Sequence, residues 1–471
     1  MKKLFFLLIP LIPLGLFAQN DMYANINLQF RFTNPGARAQ AMGGAFIGLA
    51  DDTTAILANP AGLANMTSTT LIGEFSQLER DNNIPFYSGT ITQSGLQDFI
   101  FDLNERDFPE SVSTIPFLAY VHTKSKIKWG VYYAEQAHFD RTFETNGVTI
   151  PPFRGQTYLD LNQFVFFSAS RNFIELQMRS IGGSVGINLT DRLAVGVTVS
   201  YNDFQYEGNT SLLVPDFAAL FPDFSIDPRV LDAIAPFVGQ AASVIDVDGD
   251  DGAISANIGL LYTPNERFSV GFAYKQQPEF DYDHRTSGLR TDDLSFDPLP
   301  VENGSAVFSM PDSFGAGFSF KPTDVFLVTL EVNRVMYSEM SDDFHTFFGA
   351  PNDPADNRQV VSDTTEYRAG MEYILVNLQN PLSLRAGYYL EPYHALQNEK
   401  LDTQILFAYT NPAGDLALDF RNNAFLQRFA EDQNHITFGA GMSFGQHFAI
   451  DLAADIADRS ESYSLSGIYR F

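Results

Sequence analysis

Two stretches of the 471-residue sequence carry residue types at spacings that reactive chemistry uses. Gly182-Gly183-Ser184-Val185-Gly186 matches G-x-S-x-G, the turn that presents a nucleophilic serine in lipases and esterases. That turn must lead from a strand into a helix, and here strand-like alternation continues straight through the motif. Asp246 to Asp251, DVDGDD, opens like a calcium loop. Asp251 stands where glycine is required and Asn257 where the bidentate glutamate belongs, so only loose cation binding by an acidic rim is left open. The histidines (His122, His138, His284, His345, His394, His435 and His447) form neither HExxH nor a close pair of zinc-ligand spacing. P-loop and dinucleotide fingerprints are missing too. These residues argue against an enzyme, a cofactor or a metal site. An outer-membrane lipase acting through Ser184 is the enzymatic alternative, and it predicts that Ser184→Ala abolishes lipase activity.

A different set of polar residues is better placed. Glu331, Asn333, Arg368, Glu372, Arg385, Asp451 and Asp455 occur inside segments whose apolar residues recur at every second position. Only strands with one face turned inward could position them, because a basic residue facing hydrocarbon costs roughly 2–4 kcal/mol near the midplane. Such segments number fourteen, at approximately 69–79, 112–123, 127–136, 178–190, 193–206, 253–263, 267–276, 306–321, 325–336, 363–375, 381–391, 434–445, 448–457 and 462–471. About ten residues is the length at which a tilted strand crosses a bilayer.

The joins sort by length. Lys124 to Lys126, Asp191-Arg192, Pro264 to Glu266, Pro322 to Asp324, Val376 to Asn380 and Gln446-His447 are short and have turn chemistry. Arg80 to Ser111, Ala137 to Gln177, Glu207 to Gly252 and Pro392 to Asn434 are long. Short and long joins in alternation predict an all-β, antiparallel transmembrane barrel of about fourteen strands. Ile436, Phe438, Ala440, Met442 and Phe444 then face lipid, with Phe448, Ile450, Leu452, Ala454 and Ile456. Glu331, Arg368, Glu372, Arg385, Asp451 and Asp455 point inward as a polar lumen network. Ser180, Gly182, Ser184, Gly186, Asn188, Ala194, Gly196, Thr198 and Ser200 also point inward, and their small size leaves room for a plug or a ligand. In the last segment Tyr463, Leu465, Tyr469 and Phe471 share one face, with Ser464, Ser466 and Arg470 on the other. A terminal phenylalanine on such a strand resembles the signal read by the barrel-assembly machinery of bacterial outer membranes.

Lys2 and Lys3 followed by an apolar run to Ala18, broken by Pro10 and Pro13, predict a secretory signal peptide over 1–18. The formal charge of -28 makes nucleic acid an unsuitable partner. There is no cysteine, hence no acylation site and no disulfide framework. The aromatics (44 Phe, 20 Tyr, 1 Trp) and a mean hydropathy near zero suit strands that meet lipid on one face only. Asn34 to Asn65 breaks the pattern with many small residues and two short helix-like pieces. Asp51 or Asp52 can cap a helix through Thr53 to Ile56, and Pro60 prevents its continuation beyond Asn59. This compact insert is expected to plug the tube, so 19–66 is read as a plug and 67–471 as the barrel.

The insert and its surroundings resemble the outer-membrane long-chain fatty acid transporter family of the FadL type. The resemblance rests on GARAQAMGGAFIGLADD (Gly36 to Asp52), with Gly43, Gly44, Asp51 and Asp52, and on Asn59-Pro60-Ala61. It continues through NIGLLYTPNERFSVGFAYK (Asn257 to Lys275), MPDSFGAGFSF (Met310 to Phe320), LEVNRVMYSEM (Leu330 to Met340), PLSLRAGYYLEP (Pro381 to Pro392) and HITFGAGMSFG (His435 to Gly445). The resemblance implies a fourteen-stranded barrel closed by an N-terminal hatch and integral to the bacterial outer membrane, with both termini periplasmic. It implies uptake of hydrophobic small molecules such as long-chain fatty acids or hydrocarbons, entering by an outer groove and leaving sideways beside a kinked third strand. Gly130, next to Trp129, is the candidate kink. Phe217, Phe221, Phe224, Ile234 and Phe237 lie in the Glu207–Gly252 join, where an amphipathic stretch (Asp227 to Val244) makes them a candidate capture groove or the apolar filling of the loop itself. Barrels of this shape also serve type IX secretion as protein-binding shuttles, which is the alternative function.

Overall fold

A computed structural model describes residues 34–83, 88–93, 99–103, 107–149, 169–214, 216, 228–290, 296–341, 359–394, 396–398, 405–410, 416–421 and 432–471. The expected signal peptide, the start of the insert and Phe217, Phe221 and Phe224 lie outside the described residues.

Strict alternation of apolar and small or polar residues makes two-faced strands, and these pair with their chain neighbours. The first seven barrel strands are β1 (Thr70–Asn83), β2 (Asp107–His122), β3 (Lys128–Thr145), β4 (Ser170–Thr190), β5 (Leu193–Leu213), β6 (Ala241–Asn265) and β7 (Phe268–Gln276). The second seven are β8 (Ser313–Thr323), β9 (Phe326–Val335), β10 (Thr364–Leu375), β11 (Leu382–Glu391), β12 (Gln433–Phe444), β13 (Phe448–Ala457) and β14 (Ser460–Arg470). Of the sixteen strands in the main sheet, two form a side hairpin. The other fourteen close on themselves, with β14 against β1 and β6 against β7. Among the described residues no helix is long and apolar enough to cross a membrane.

All six short joins become tight turns at one end of the barrel, and Thr70 and Arg470 meet at that same end. Gly445 opens the turn at Gln446-His447 with a φ of 64°, which is strained for a residue with a side chain. The opposite end departs from expectation. Pairing continues well beyond the expected segments, so much of the Glu207–Gly252 join is sheet: β5 runs on to Leu213 and β6 begins at Ala241. DVDGDD therefore sits within a strand, not a loop, and among the described residues no group of His, Asp or Glu is arranged to hold a metal. The segment expected at 306–321 is two elements. Glu302–Ser309 pairs with Glu279–Gly288 in the side hairpin, and the chain bends at Met310 to Asp312 before β8.

The core of the molecule is the contact between insert and wall. The insert comprises α1 (Ala37–Ala41), α2 (Ala55–Ala58) and a 3-10 turn, Pro60–Asn65. Ile56 and Leu63 pack with Ile72, Phe117, Val121 and Tyr132 of β1 to β3. Met42, Phe46 and Leu49 meet Leu327 of β9, while Ala37 and Ala41 meet Ala453 of β13. Of the residues assigned to lipid, Ile436, Phe438, Phe444, Phe448, Leu452, Ile456 and Leu465 are exposed, and Ala440, Met442, Ile450 and Ala454 are half-buried.

Candidate functional site

The insert is tied to the wall at both ends of the Asn34–Asn65 motif. Asn59 is fully buried; its Nδ2 donates to the carbonyls of Ile47 (2.9 Å) and Leu260 (3.1 Å), joining two parts of the insert to β6. Its Oδ1 accepts from Ala61 N (3.2 Å) and so starts the 3-10 turn, where Pro60 has no N–H to lose. This explains the Asn-Pro-Ala order. Gly43 and Gly44 have φ values of 65° and 70°, and a side chain on Gly43 would strike the Ala369 and Tyr388 carbonyls of β10 and β11. Asp52 rather than Asp51 shapes the turn before α2, accepting from Thr54 N (2.9 Å) and Oγ1 (2.6 Å). Asp51 turns to Arg38 Nη1 at 2.5 Å.

The six expected lumen charges all point inward and are buried. Arg385 links Glu372 and Asp451, each at 2.6 Å. Glu372 in turn receives Arg38 of the insert (3.1 and 3.2 Å), so the chain of charges ends on the plug. Burial works against the charge on Arg38, yet Asp51, Glu372 and Asp52 outweigh it and push its pKa above the ordinary arginine value. Glu331 Oε2 accepts from Phe46 N and Ile47 N, both at 2.7 Å, and Asn333 donates to its other oxygen. Arg368 pairs with Glu366 at 2.7 Å. Asp455 binds His435 Nδ1 (2.8 Å) and the Tyr389 hydroxyl (2.7 Å).

Thr198, expected to point inward, donates to Ile56 O (2.7 Å), and other holding residues went unnoticed in the sequence: Arg38, Glu74 (accepting from Gly36 N, 2.7 Å), Thr437 (donating to Ala41 O, 3.0 Å) and Lys128 (donating to Ala64 O, 2.7 Å). Alternation places Glu74 and Thr437 on the inner face, and that was the available signal. Ser184 is buried and bonded to Thr198 and the Val197 carbonyl within a continuous ladder, with no nucleophile turn.

The ladder lapses between two neighbouring wall strands, β2 and β3. β2 and β3 are laddered only from His122–Trp129 to Phe117–Ala134. Beyond that, β2 stays paired with β1 and β3 with β4, and the two strands are linked by side chains. Glu110 accepts from Asp140 N (3.1 Å) and Arg141 Nε (3.0 Å), and Thr114 donates to Glu135. The irregularity in β3 lies between Glu135 and Ala137, not at Gly130, which sits in unbroken register with Val121 and Ser184. Gly130 is small because Ile56 Cδ1 of the insert occupies the space of its missing side chain, 2.9 Å away.

A cavity of about 240 Å³ lies on the long-loop side of the insert, floored by Gln40 and Leu57 and reaching the wall gap at Pro116, Ala134 and Gln136. A second, of about 310 Å³, lies on the short-turn side between Arg38, Asp52, Arg385 and Asp451. Of the expected capture residues, Ile234, at the end of α3 (Pro228–Ile234), is buried, and Phe237 stacks at 4.2 Å on Phe296, which belongs to the connection between the two strands of the side hairpin.

Solved structures share this architecture at low identity. The CymD monoaromatic hydrocarbon channel aligns with a TM-score of 0.54 and 15% identity, over 94% of this chain and 99% of that one. The toluene transporter TbuX of Ralstonia pickettii gives the same figures. A FadL homologue from Pseudomonas aeruginosa gives 0.56 and 14%, over 94% and 99%. Among curated proteins none matches. A family model described as outer membrane protein transport protein (OMPP1/FadL/TodX) matches residues 26–406, and this chain belongs to that family of integral outer-membrane transport barrels.

Proposed function

We propose that the protein takes up hydrophobic small molecules, with long-chain fatty acids and hydrocarbons as the candidate cargo classes, by binding them above the hatch and releasing them as the hatch shifts. The carrying observation is the cavity that joins the top of a bonded-in plug to a gap between β2 and β3. A molecule held there has a sideways route into the lipid without crossing the charges below. The steps are binding and conformational release; no bond is made or broken. In this reading the short turns and both termini face the periplasm, β14 with Phe471 is read by the barrel-assembly machinery, and outer-membrane lipid covers the apolar band. The protein-shuttle alternative has no observation in the described residues to favour it.

Because the native chain lacks cysteine, a disulfide between Ala41→Cys and Ala453→Cys, neighbours in one buried cluster, tethers the hatch cleanly. Oxidised cells are expected to lose uptake of a labelled hydrophobic probe and to regain it on reduction. Unchanged uptake in the oxidised form rejects hatch-linked release.

A further inference from the structure

We propose that the tip of the β2–β3 hairpin binds the headgroup of an anionic phospholipid, on the outside of the barrel and apart from the lumen. Its placement in the inner, phospholipid leaflet rests on the orientation given above, with the short turns in the periplasm. Thr123 to Ile127 join the two strands, and Lys124, Ser125, Lys126 and Ile127 are exposed. Two lysines here run against a chain whose formal charge is -28. Of the six short turns, this is the only one with a net positive charge. Asp191 offsets Arg192, Glu266 offsets Arg267, Asp324 stands in a fourth turn, and the remaining two hold no Lys, Arg, Asp or Glu.

Lys128, two residues on, turns inward and donates to Ala64 O of the insert (2.7 Å). Lys124 and Lys126 do not: among the described residues no carboxylate stands within ion-pair distance of either. The lipid-facing wall beside them is aromatic. Trp129, the only tryptophan of the chain, is exposed and stacks on His122 at 5.3 Å. Tyr120 lies 5.9 Å from Trp129, and Phe471 lies 6.2 Å from Tyr120. Tryptophan and tyrosine rings settle at the level of lipid headgroups. His122–Trp129 is the last rung of the β2–β3 ladder, so the turn begins where that level is reached. A lysine just beyond it holds its ammonium at the phosphates and lays its stem along apolar surface. Exposed Ile127 adds an apolar contact between the lysines and Trp129. An anionic headgroup therefore gains two cations here, whereas a zwitterionic one brings its own ammonium and gains less.

The single tryptophan makes the test local, because its fluorescence reports this rim alone. The full protein is reconstituted in phosphatidylcholine vesicles that contain brominated phosphatidylglycerol or brominated phosphatidylcholine, whose bromines quench a neighbouring tryptophan. Quenching should favour phosphatidylglycerol about fivefold at low salt, and the preference should fade at about 1 M salt. Lys124→Gln combined with Lys126→Gln should abolish it, and Arg267→Gln on the β6–β7 turn should not. Equal quenching by the two lipids, or a preference that survives the double substitution, overturns the proposal. The leaflet is tested separately with Ser125→Cys in this cysteine-free chain. A polyethylene-glycol maleimide too large for porins should label it only after cells are lysed. Labelling of intact cells overturns the inner-leaflet placement together with the orientation it rests on, while the vesicle result still decides the binding.

Discussion

The two sides of the lumen wall hold the same plug by different physics. On the β4 to β7 side the wall presents glycine and small hydroxyl residues, and the insert backbone lies directly against it. A side chain on Gly196 or Gly186 would run into Pro60 and its neighbours. On the β9 to β13 side Gly370 and Gly387 also lie directly against Met42 and Gly43, and Glu331 and Glu372 add charged hydrogen bonds to the insert, with Arg385 and Asp451 linked behind Glu372. Close contact without side chains tolerates no added volume, since protein interiors pack at crystal-like density. Charged contacts have the opposite character: they are costly when one partner is lost, yet water or another polar group can replace them when surfaces part. The comparison teaches that glycines let the insert lie close on both sides, while the β9 to β13 side adds charged ties whose loss should cost most.

Three substitutions probe that difference, beginning with the largest expected effect. Glu372→Ala takes one carboxylate from Arg38 and Arg385, leaving Asp51 and Asp52 to the first and Asp451 to the second, and should cost about 3 kcal/mol, read as a lower urea midpoint in lipid vesicles and a rise in single-channel conductance. Glu372→Gln, which still accepts hydrogen bonds, should recover a large part of both. Gly196→Val should cost about 1–3 kcal/mol by overpacking, and here the milder Gly196→Ala should give little relief, because the first added carbon already meets Pro60. Equal rescue on both sides would erase the distinction. Thr198→Val removes one hydrogen bond to Ile56 O on the small-residue side and should cost about 1 kcal/mol, with conductance unchanged.

Much of the fold was legible because strand faces repeat every two residues and tight turns use few residue types, so both signals are local. The fourteen segments and six turns are of this kind. The misjudged segment at 306–321 failed because alternation persists across the bend at Met310 to Asp312, and alternation alone does not say which partner a strand finds. The long joins were misjudged for a related reason. Hairpins such as β5 and β6 keep pairing beyond the apolar band, where the residues turn acidic and read as loop. For the lumen charges the direction was readable and the pairing was not. Arg38 and Glu372 are brought together only when the insert enters the closed barrel.

From sequence alone came the strand number, the two faces of each strand, the ends of the turns and the existence of a small-residue insert, since each depends on neighbours a few positions apart. Tertiary structure decided which charges meet, that Gly130 makes room for Ile56 instead of kinking the wall, and that the wall opens between β2 and β3. Those outcomes depend on closing the barrel around the plug, which sets distances between residues hundreds of positions apart, and no local pattern encodes them.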